Sequence, residues 1–162
     1  MTQADERYES GAGLRPHAYF PDAQPELFDG VLGRRVVAFL VDAVIILAMT
    51  LAGWLLLLVL GILTLGLAWL LMGLVFPVVA LGYVGLTLGG PVSATIGMRM
   101  VGVQMRTWYG APMYFVLAVA HAVLFWFSIS ILTPFILLVG LFNDRRRLAH
   151  DFVVGTVVIN KR

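Results

Sequence analysis

Asp42 is the side chain in this sequence whose type and position are most informative about chemistry. It lies about two helical turns into the first long apolar run of the 162-residue chain. If that run spans a membrane, an unpaired carboxylate there costs several kcal/mol of insertion free energy. Two interpretations follow. Asp42 is a proton- or cation-binding group, or it is a buried polar contact joining the helix to segments outside the membrane, which we favour because the position is shallow.

The cost of burying Asp42 predicts a positively charged partner. Arg35 lies seven residues earlier and shares its helix face, but about 10 Å along the helix axis separates the two Cα atoms. A direct pair would need a strongly extended arginine. Cations from other segments are better placed to reach Asp42 at the cytoplasmic rim: Arg99, Arg147 and His150.

Two further groups of ionisable residues accompany these candidates. Arg145–Asp151 gathers three arginines, a histidine and an acid directly after the last apolar block. We favour a solvated cluster that attracts anionic lipid headgroups, at about 1 kcal/mol per cation near the surface. His121 is a secondary candidate within the third apolar block. It relays protons with Asp42, or it forms a hydrogen bond with a carbonyl or hydroxyl of a neighbouring helix, the interpretation we favour.

The sequence lacks the signatures of several enzyme and binding classes. It has no cysteine, which excludes disulfides and thiolate metal sites. Its three histidines are too far apart for a short-spaced metal motif. No phosphate-binding loop, G-x-S-x-G, H-E-x-x-H or paired-carboxylate motif occurs, and the arginines border apolar runs without a base-stacking platform. We predict no metal, no cofactor, no nucleic-acid binding and no enzymatic activity.

Composition places these residues in a membrane protein. Hydrophobic residues make up 60% of the chain and charged residues 12%, against about 25% charged in soluble domains. The mean hydropathy is +0.94. A soluble core of this size could not bury so much apolar surface. The predicted fold is an all-α integral membrane protein, a helical bundle.

Two long transmembrane helices are predicted after a flexible polar tail, residues 1–30, within a domain that covers 31–160. The first spans about 36–60 and the second about 67–88, with a tight turn at Gly61–Gly66 and a kink near Pro77. Gly89, Gly90 and Pro91 end the second span.

The third apolar block, 112–142, decides the topology. Pro134 divides it, so it forms one long helix or a hairpin of two short helices. A single crossing would split the positive residues evenly across the bilayer. The hairpin places every cationic cluster and both termini in the cytoplasm, and we favour it because short cytoplasmic loops hold the Lys and Arg.

Two short segments have the pattern of β-strands. Met98–Arg106 alternates in polarity, and Phe152–Ile159 is rich in β-branched residues. We predict that they pair with each other in the cytoplasm, which requires both to lie on the same side of the membrane.

Three motifs resemble the RDD family of small, mostly bacterial membrane proteins. They are GRRVVAFLVD at 33–42, TIGMRMVG at 95–102 and RLAHDFVVGTVV at 147–158. The resemblance covers about residues 28–160 and implies that the family's arginine is Arg35 and its two aspartates are Asp42 and Asp151. If these three form one site, Asp151 must lie on the same side as Arg35. A few relatives are associated with sodium or proton exchange, which makes transport an expectation by analogy.

We therefore expect a multi-pass protein of the bacterial cytoplasmic membrane with one of two functions. The first is a transport-related role, cation or proton exchange, through the Arg/Asp polar cluster. The second is a non-transporting membrane adaptor or assembly factor whose polar cluster is structural. The expected partners are the lipid bilayer with its anionic headgroups, and further copies of the chain or another membrane protein.

Overall fold

The computed structural model describes residues 18–19, 24–132 and 149–161, and within them the protein is mostly helical. A short 3-10 helix, Pro25–Leu27, precedes the first long helix, and a second, Leu67–Leu71, follows it. The other elements, in chain order, are α1 (Val31–Leu63), α2 (Met72–Leu88), α3 (Ile96–Met100), β1 (Val103–Thr107), α4 (Phe115–Leu132), α5 (Ala149–Val154) and β2 (Thr156–Asn160).

Two helical segments are long and apolar enough to cross a membrane. They are Pro25–Leu63 and Leu67–Leu88, and only 6% and 11% of their most apolar windows are buried inside the protein. The core helix of a soluble protein would bury most of such a window. Their apolar side chains, such as Leu55 and Ile62, instead face outward, and this arrangement suits the hydrocarbon of a bilayer.

The turn between the two spans is shorter than predicted. We expected Gly61–Gly66 to form it, but α1 continues to Leu63, and only the residues up to Gly66 turn. The reason lies in packing, since a Cβ on Gly61 would collide with the indole of Trp69. Gly61 therefore serves as a contact surface that lets the following 3-10 helix fold back on α1. Gly66, with φ +94°, supplies the left-handed residue of the turn.

The second span begins as the 3-10 helix and continues as α2, which contains Pro77. It ends at Leu88, directly before Gly89, as predicted. A Cβ on Gly89 would lie 2.6 Å from the Cα of Phe115. The absence of that Cβ lets the end of α2 approach the start of α4 closely.

The predicted strand pairing is confirmed, with different bounds. β1 and β2 are antiparallel, and Met105 lies opposite Val158. The first three residues of the predicted strand Met98–Arg106 are instead helical, as the end of α3, and the residues before Gly155 are helical as α5. Gly102 and Gly155, at φ +72° and +70°, end these helices before each strand begins.

The four short elements α3, β1, α5 and β2, here called the cap, lie at the end of the bundle where α1 begins. Val103, Met105 and Val158 of the two strands are buried in one cluster with Val31 and Ala38 of α1. The Asn160 Nδ2 donates to the carbonyls of Glu26 and Asp29, at 2.8 and 2.9 Å. The last strand therefore lies beside the segment that precedes α1.

The third apolar block is described only in its first half. α4 covers Phe115–Leu132 and packs against α2. The second half of the block, with Pro134 and the following arginines 145–147, lies outside the described residues. The choice between one helix and a hairpin therefore stays a prediction.

Candidate functional site

Asp42 accepts hydrogen bonds from three uncharged donors, which come from α2 and from the start of α3. The Tyr83 hydroxyl of α2 donates to Oδ1 at 2.6 Å, and the backbone N–H of Gly97 donates to the same oxygen at 2.8 Å. The Thr95 hydroxyl donates to Oδ2 at 2.5 Å. The Tyr83 oxygen also accepts the N–H of Ile96, at 3.3 Å. We call Asp42, Tyr83, Thr95 and Gly97 the Asp42 cluster, and it ties α1 and α2 to the start of α3.

Gly97 makes this cluster possible because its backbone lies directly against α1. A Cβ at this position would collide with the carbonyl oxygen of Ala38 and lie 2.9 Å from Oδ1 of Asp42. Thr95 stabilises the helix that places Gly97 against α1, because its side chain accepts the N–H of Met98 and caps α3. The Thr-x-Gly spacing therefore places a hydroxyl and an N–H on one carboxylate.

A second cluster forms around Asp151, which is completely buried. Nη1 of Arg35 lies 2.6 Å from Oδ2 of Asp151 and forms an ion pair with it. The other oxygen, Oδ1, accepts the Thr156 hydroxyl at 3.4 Å and lies 3.8 Å from Nδ1 of His121. We call Arg35, His121, Asp151 and Thr156 the Asp151 cluster. It joins α1, α4 and the C-terminal part of the cap.

The two carboxylates are thus stabilised by different means. A buried ionised group must be paired or hydrogen-bonded to avoid a large desolvation cost. Asp151 has the guanidinium of Arg35, whose side chain is itself only 12% exposed. Asp42 has three neutral donors, and within the described residues no arginine or lysine lies within ion-pairing distance of it.

The predicted cationic partner of Asp42 was therefore wrong for the described part of the chain. Arg35 turns to Asp151, because about 10 Å of helix separates it from Asp42. The Nε of Arg99 donates to the carbonyl of Ala94 at 3.1 Å. Arg147 lies outside the described residues. His150 belongs to α5 rather than to a strand, and its side chain is not described.

His121 lies in the Asp151 cluster rather than beside Asp42. Its Nδ1 is 3.4 Å from the Thr156 hydroxyl, within hydrogen-bond distance. The hydroxyl comes from β2 and not from a neighbouring helix as expected. A direct relay between His121 and Asp42 has no support in these contacts.

Sequence reasoning gave no role to Tyr83, Thr95 or Thr156, although each supplies a hydroxyl to one of the two clusters. Thr95 carried a usable signal, since threonine before a short helix is a common N-cap. Tyr83 and Thr156 carried no such signal. Tyr83 lies 41 residues from Asp42 and Thr156 lies 5 residues from Asp151, and neither spacing is a helical or strand repeat.

Both clusters face one cavity of about 650 Å³ between α1, α2 and α4. Arg35 and Asp42 of α1, Thr95 before α3 and His121 of α4 are all on its wall. Within the described residues no group of three histidine, aspartate or glutamate side chains is placed to hold a metal ion. The arrangement is an apolar cavity with a few polar groups on its wall.

Comparison with known protein families agrees with the resemblance of the three sequence motifs. The sequence pattern of the RDD family matches residues 30–155. The chain belongs to the RDD family. No curated protein and no solved structure matches it. The match and the two long apolar helices make it a membrane protein.

In this RDD protein the arginine and the two aspartates belong to two separate clusters rather than to one site. Arg35 forms an ion pair with Asp151, so both lie at the same end of the bundle. Asp42 is bound separately to Tyr83 and to the segment around α3. No direct contact joins the two acids among the described residues, but Arg35 and His121 of one cluster line the same cavity as Asp42 and Thr95 of the other.

Proposed function

We propose that this RDD protein has a transport-related role, cation or proton exchange, in which Asp42 is the group that binds the ion. One observation carries the proposal. Asp42 lines the cavity, is partly exposed, and within the described residues its partners are all neutral. A carboxylate inside a membrane protein and next to a cavity is the usual place for a proton or cation to bind. Arg35 and Asp151 then hold the cap against α1 and orient the site.

An adaptor role is the second candidate, and it has its own supporting observation. The side-chain bonds of Asp42 and the ion pair between Arg35 and Asp151 join α1 to α2, to the start of α3 or to α5, as a purely structural clamp would. In this role the protein does not move ions. It binds a partner membrane protein, and the polar clusters maintain the fold.

Ion flux in proteoliposomes tests the transport role. The purified chain is reconstituted with a pH-sensitive dye inside the vesicles, and an outward Na⁺ or K⁺ gradient is imposed. We expect the wild-type protein to change the internal pH, and Asp42→Asn to slow that change at least tenfold because the neutral amide cannot hold the ion. Asp29→Asn is the matched control, since Asp29 is exposed before α1, and it should keep the wild-type rate.

Two outcomes would contradict the transport role of Asp42. Equal rates for Asp42→Asn and the wild type would remove Asp42 from the mechanism. No flux from a monodisperse wild-type protein under either gradient would favour the adaptor, for which copurification after cross-linking should then yield a stable heteromeric partner.

We also propose the setting of this activity: the bacterial cytoplasmic membrane, with both termini in the cytoplasm and the third apolar block returning as a hairpin. The bonds between Asn160 and the segment before α1 support a common side for the two ends. The chain acts without enzymatic chemistry, in contact with anionic headgroups. Because it is small for a transport pathway, it works as an oligomer.

Reporter fusions test this orientation. We expect reporters placed within residues 1–29 and after Arg162 to indicate the same side of the membrane, the cytoplasmic one, because short cytoplasmic segments hold the Lys and Arg. Alkaline phosphatase and a fluorescent protein are used in parallel at each position, since each is active on one side only. Opposite sides for the two positions would support three crossings and contradict the hairpin.

A further inference from the structure

The cavity has the size of a binding site for a small organic molecule. Its volume of about 650 Å³ lies within the ~300–1,000 Å³ typical of such sites. α1 contributes wall residues from Leu32 to Trp54, and Met98, Met105 and Val158 of the cap lie at the Leu32 end. The cavity therefore extends along much of the part of α1 that would lie in the membrane.

Aromatic rings form much of the wall of this cavity. The rings of Phe39 and Phe125 meet between α1 and α4, with centroids 5.5 Å apart. Those of Phe76 and Trp126 meet edge to face between α2 and α4, at 5.2 Å. Trp54 completes the aromatic set on α1. Such rings offer flat apolar surfaces, and their faces attract cations.

The charges on the wall favour a ligand of positive charge. The guanidinium of Arg35 is offset by the carboxylate of Asp151, in direct contact at 2.6 Å. His121 lies against that same carboxylate. Asp42 has no such counter-ion among the described residues, because its three partners are neutral donors. Its negative charge is the one on the described wall that a ligand could offset.

The hydrogen bonds of Asp42 narrow the ligand class further. Both carboxylate oxygens already accept strong hydrogen bonds, from Tyr83 and Gly97 on one side and from Thr95 on the other. A ligand that needs to donate a hydrogen bond would compete with these. A cation whose charge is enclosed by aromatic or alkyl groups needs none, since charge attraction acts through space. Phe39, three residues before Asp42, places a ring on the same side of α1.

We propose that the cavity binds a lipophilic organic cation, a permanently charged molecule covered by aromatic or alkyl groups. Its charge lies near Asp42, and its rings pack among Phe39, Phe125 and Trp126. This inference names a substrate class for the proposed transport function and rests on it in assigning ion binding to Asp42.

Binding of tetraphenylphosphonium tests the inference without any ion gradient. The protein is placed in nanodiscs of uncharged phosphatidylcholine at pH 8, and binding of the labelled cation is measured after subtraction of empty nanodiscs. Tetraphenylborate, an anion of nearly the same size and shape, is the matched ligand control. We expect saturable binding of the phosphonium and at least tenfold weaker binding of the borate, because the charge of Asp42 attracts the first and repels the second.

Two variants locate the site. Asp42→Asn should weaken phosphonium binding at least tenfold, and Phe39→Leu about threefold because it removes a ring but keeps an apolar side chain. Asp29→Asn should bind as the wild type does. If Asp42→Asn does not fold, the comparison of phosphonium with borate on the wild-type protein still decides the matter.

Equal affinity for the two ions, or wild-type phosphonium affinity in a folded Asp42→Asn variant, would overturn the inference. The result is independent of the flux assay. Flux of Na⁺ or protons without a preference for phosphonium would overturn this inference alone. Phosphonium binding that depends on Asp42, in a protein without flux, would support the inference and contradict the proposed exchange.

Discussion

Arg35→Met is expected to lower the free energy of unfolding by about 3–5 kcal/mol, because it removes the guanidinium that forms an ion pair with the completely buried carboxylate of Asp151. The contacts of Asp151 to Thr156 and His121 are long, at 3.4 and 3.8 Å, and are poor substitutes for a guanidinium at 2.6 Å. The measurement is unfolding by sodium dodecyl sulfate from mild detergent, followed by tryptophan fluorescence.

A double-mutant cycle separates the ion pair from packing. Adding Asp151→Leu to Arg35→Met should restore a large part of the lost stability, since a buried pair replaced by apolar side chains is often nearly neutral. Arg34→Met is the matched control. Arg34 is exposed and has one long bond, 3.3 Å to Asn160, so its loss should cost less than about 1 kcal/mol. If both arginine variants lower the free energy of unfolding by the same amount, the ion pair does not stabilise the cap.

The helices and the family motifs could be predicted from the sequence because they depend on local pattern. Long apolar runs specified α1 and α2, and the β-branched run at 156–160 specified a strand. The bounds were wrong where a specific side-chain contact, rather than the polarity pattern, decided them. Gly61 remains helical because Trp69 packs on it, and the helix α3 replaces the first three residues of a predicted strand because Thr95 caps it.

The charged members of the polar site were predictable from the sequence, but their pairing was not. Arg35, Asp42 and Asp151 were all identified, yet Arg35 and Arg99 bind other groups than Asp42, and Arg147 and the side chain of His150 lie outside the described residues. The general rule that a buried carboxylate needs compensation held, but neutral donors provided it. One of them is a backbone N–H, which is present at every non-proline residue and leaves no mark in the sequence. Only the close approach of Gly97 shows which N–H is used.

Gly97→Ala is therefore expected to be among the most damaging single-methyl additions in the chain. The new Cβ would collide with the backbone oxygen of Ala38, which cannot rotate away, and lie 2.9 Å from the carboxylate of Asp42. Relief requires α3 to move off α1. That movement lengthens the bonds from Gly97 and Thr95 to Asp42, so the cost is overpacking plus weakened bonds to a charged group, about 3–5 kcal/mol.

The same substitution at Gly33 is the matched control, and it should raise the free energy of unfolding rather than lower it. Gly33 lies in α1, and nothing is within 4 Å of the position its Cβ would take. Alanine there should stabilise the helix by about 0.5–1 kcal/mol, because glycine loses more backbone entropy in a helix. Unfolding in detergent measures both variants. A Gly97→Ala protein as stable as Gly33→Ala would mean that α3 does not rest on α1, and the Asp42 cluster would then lose its backbone donor.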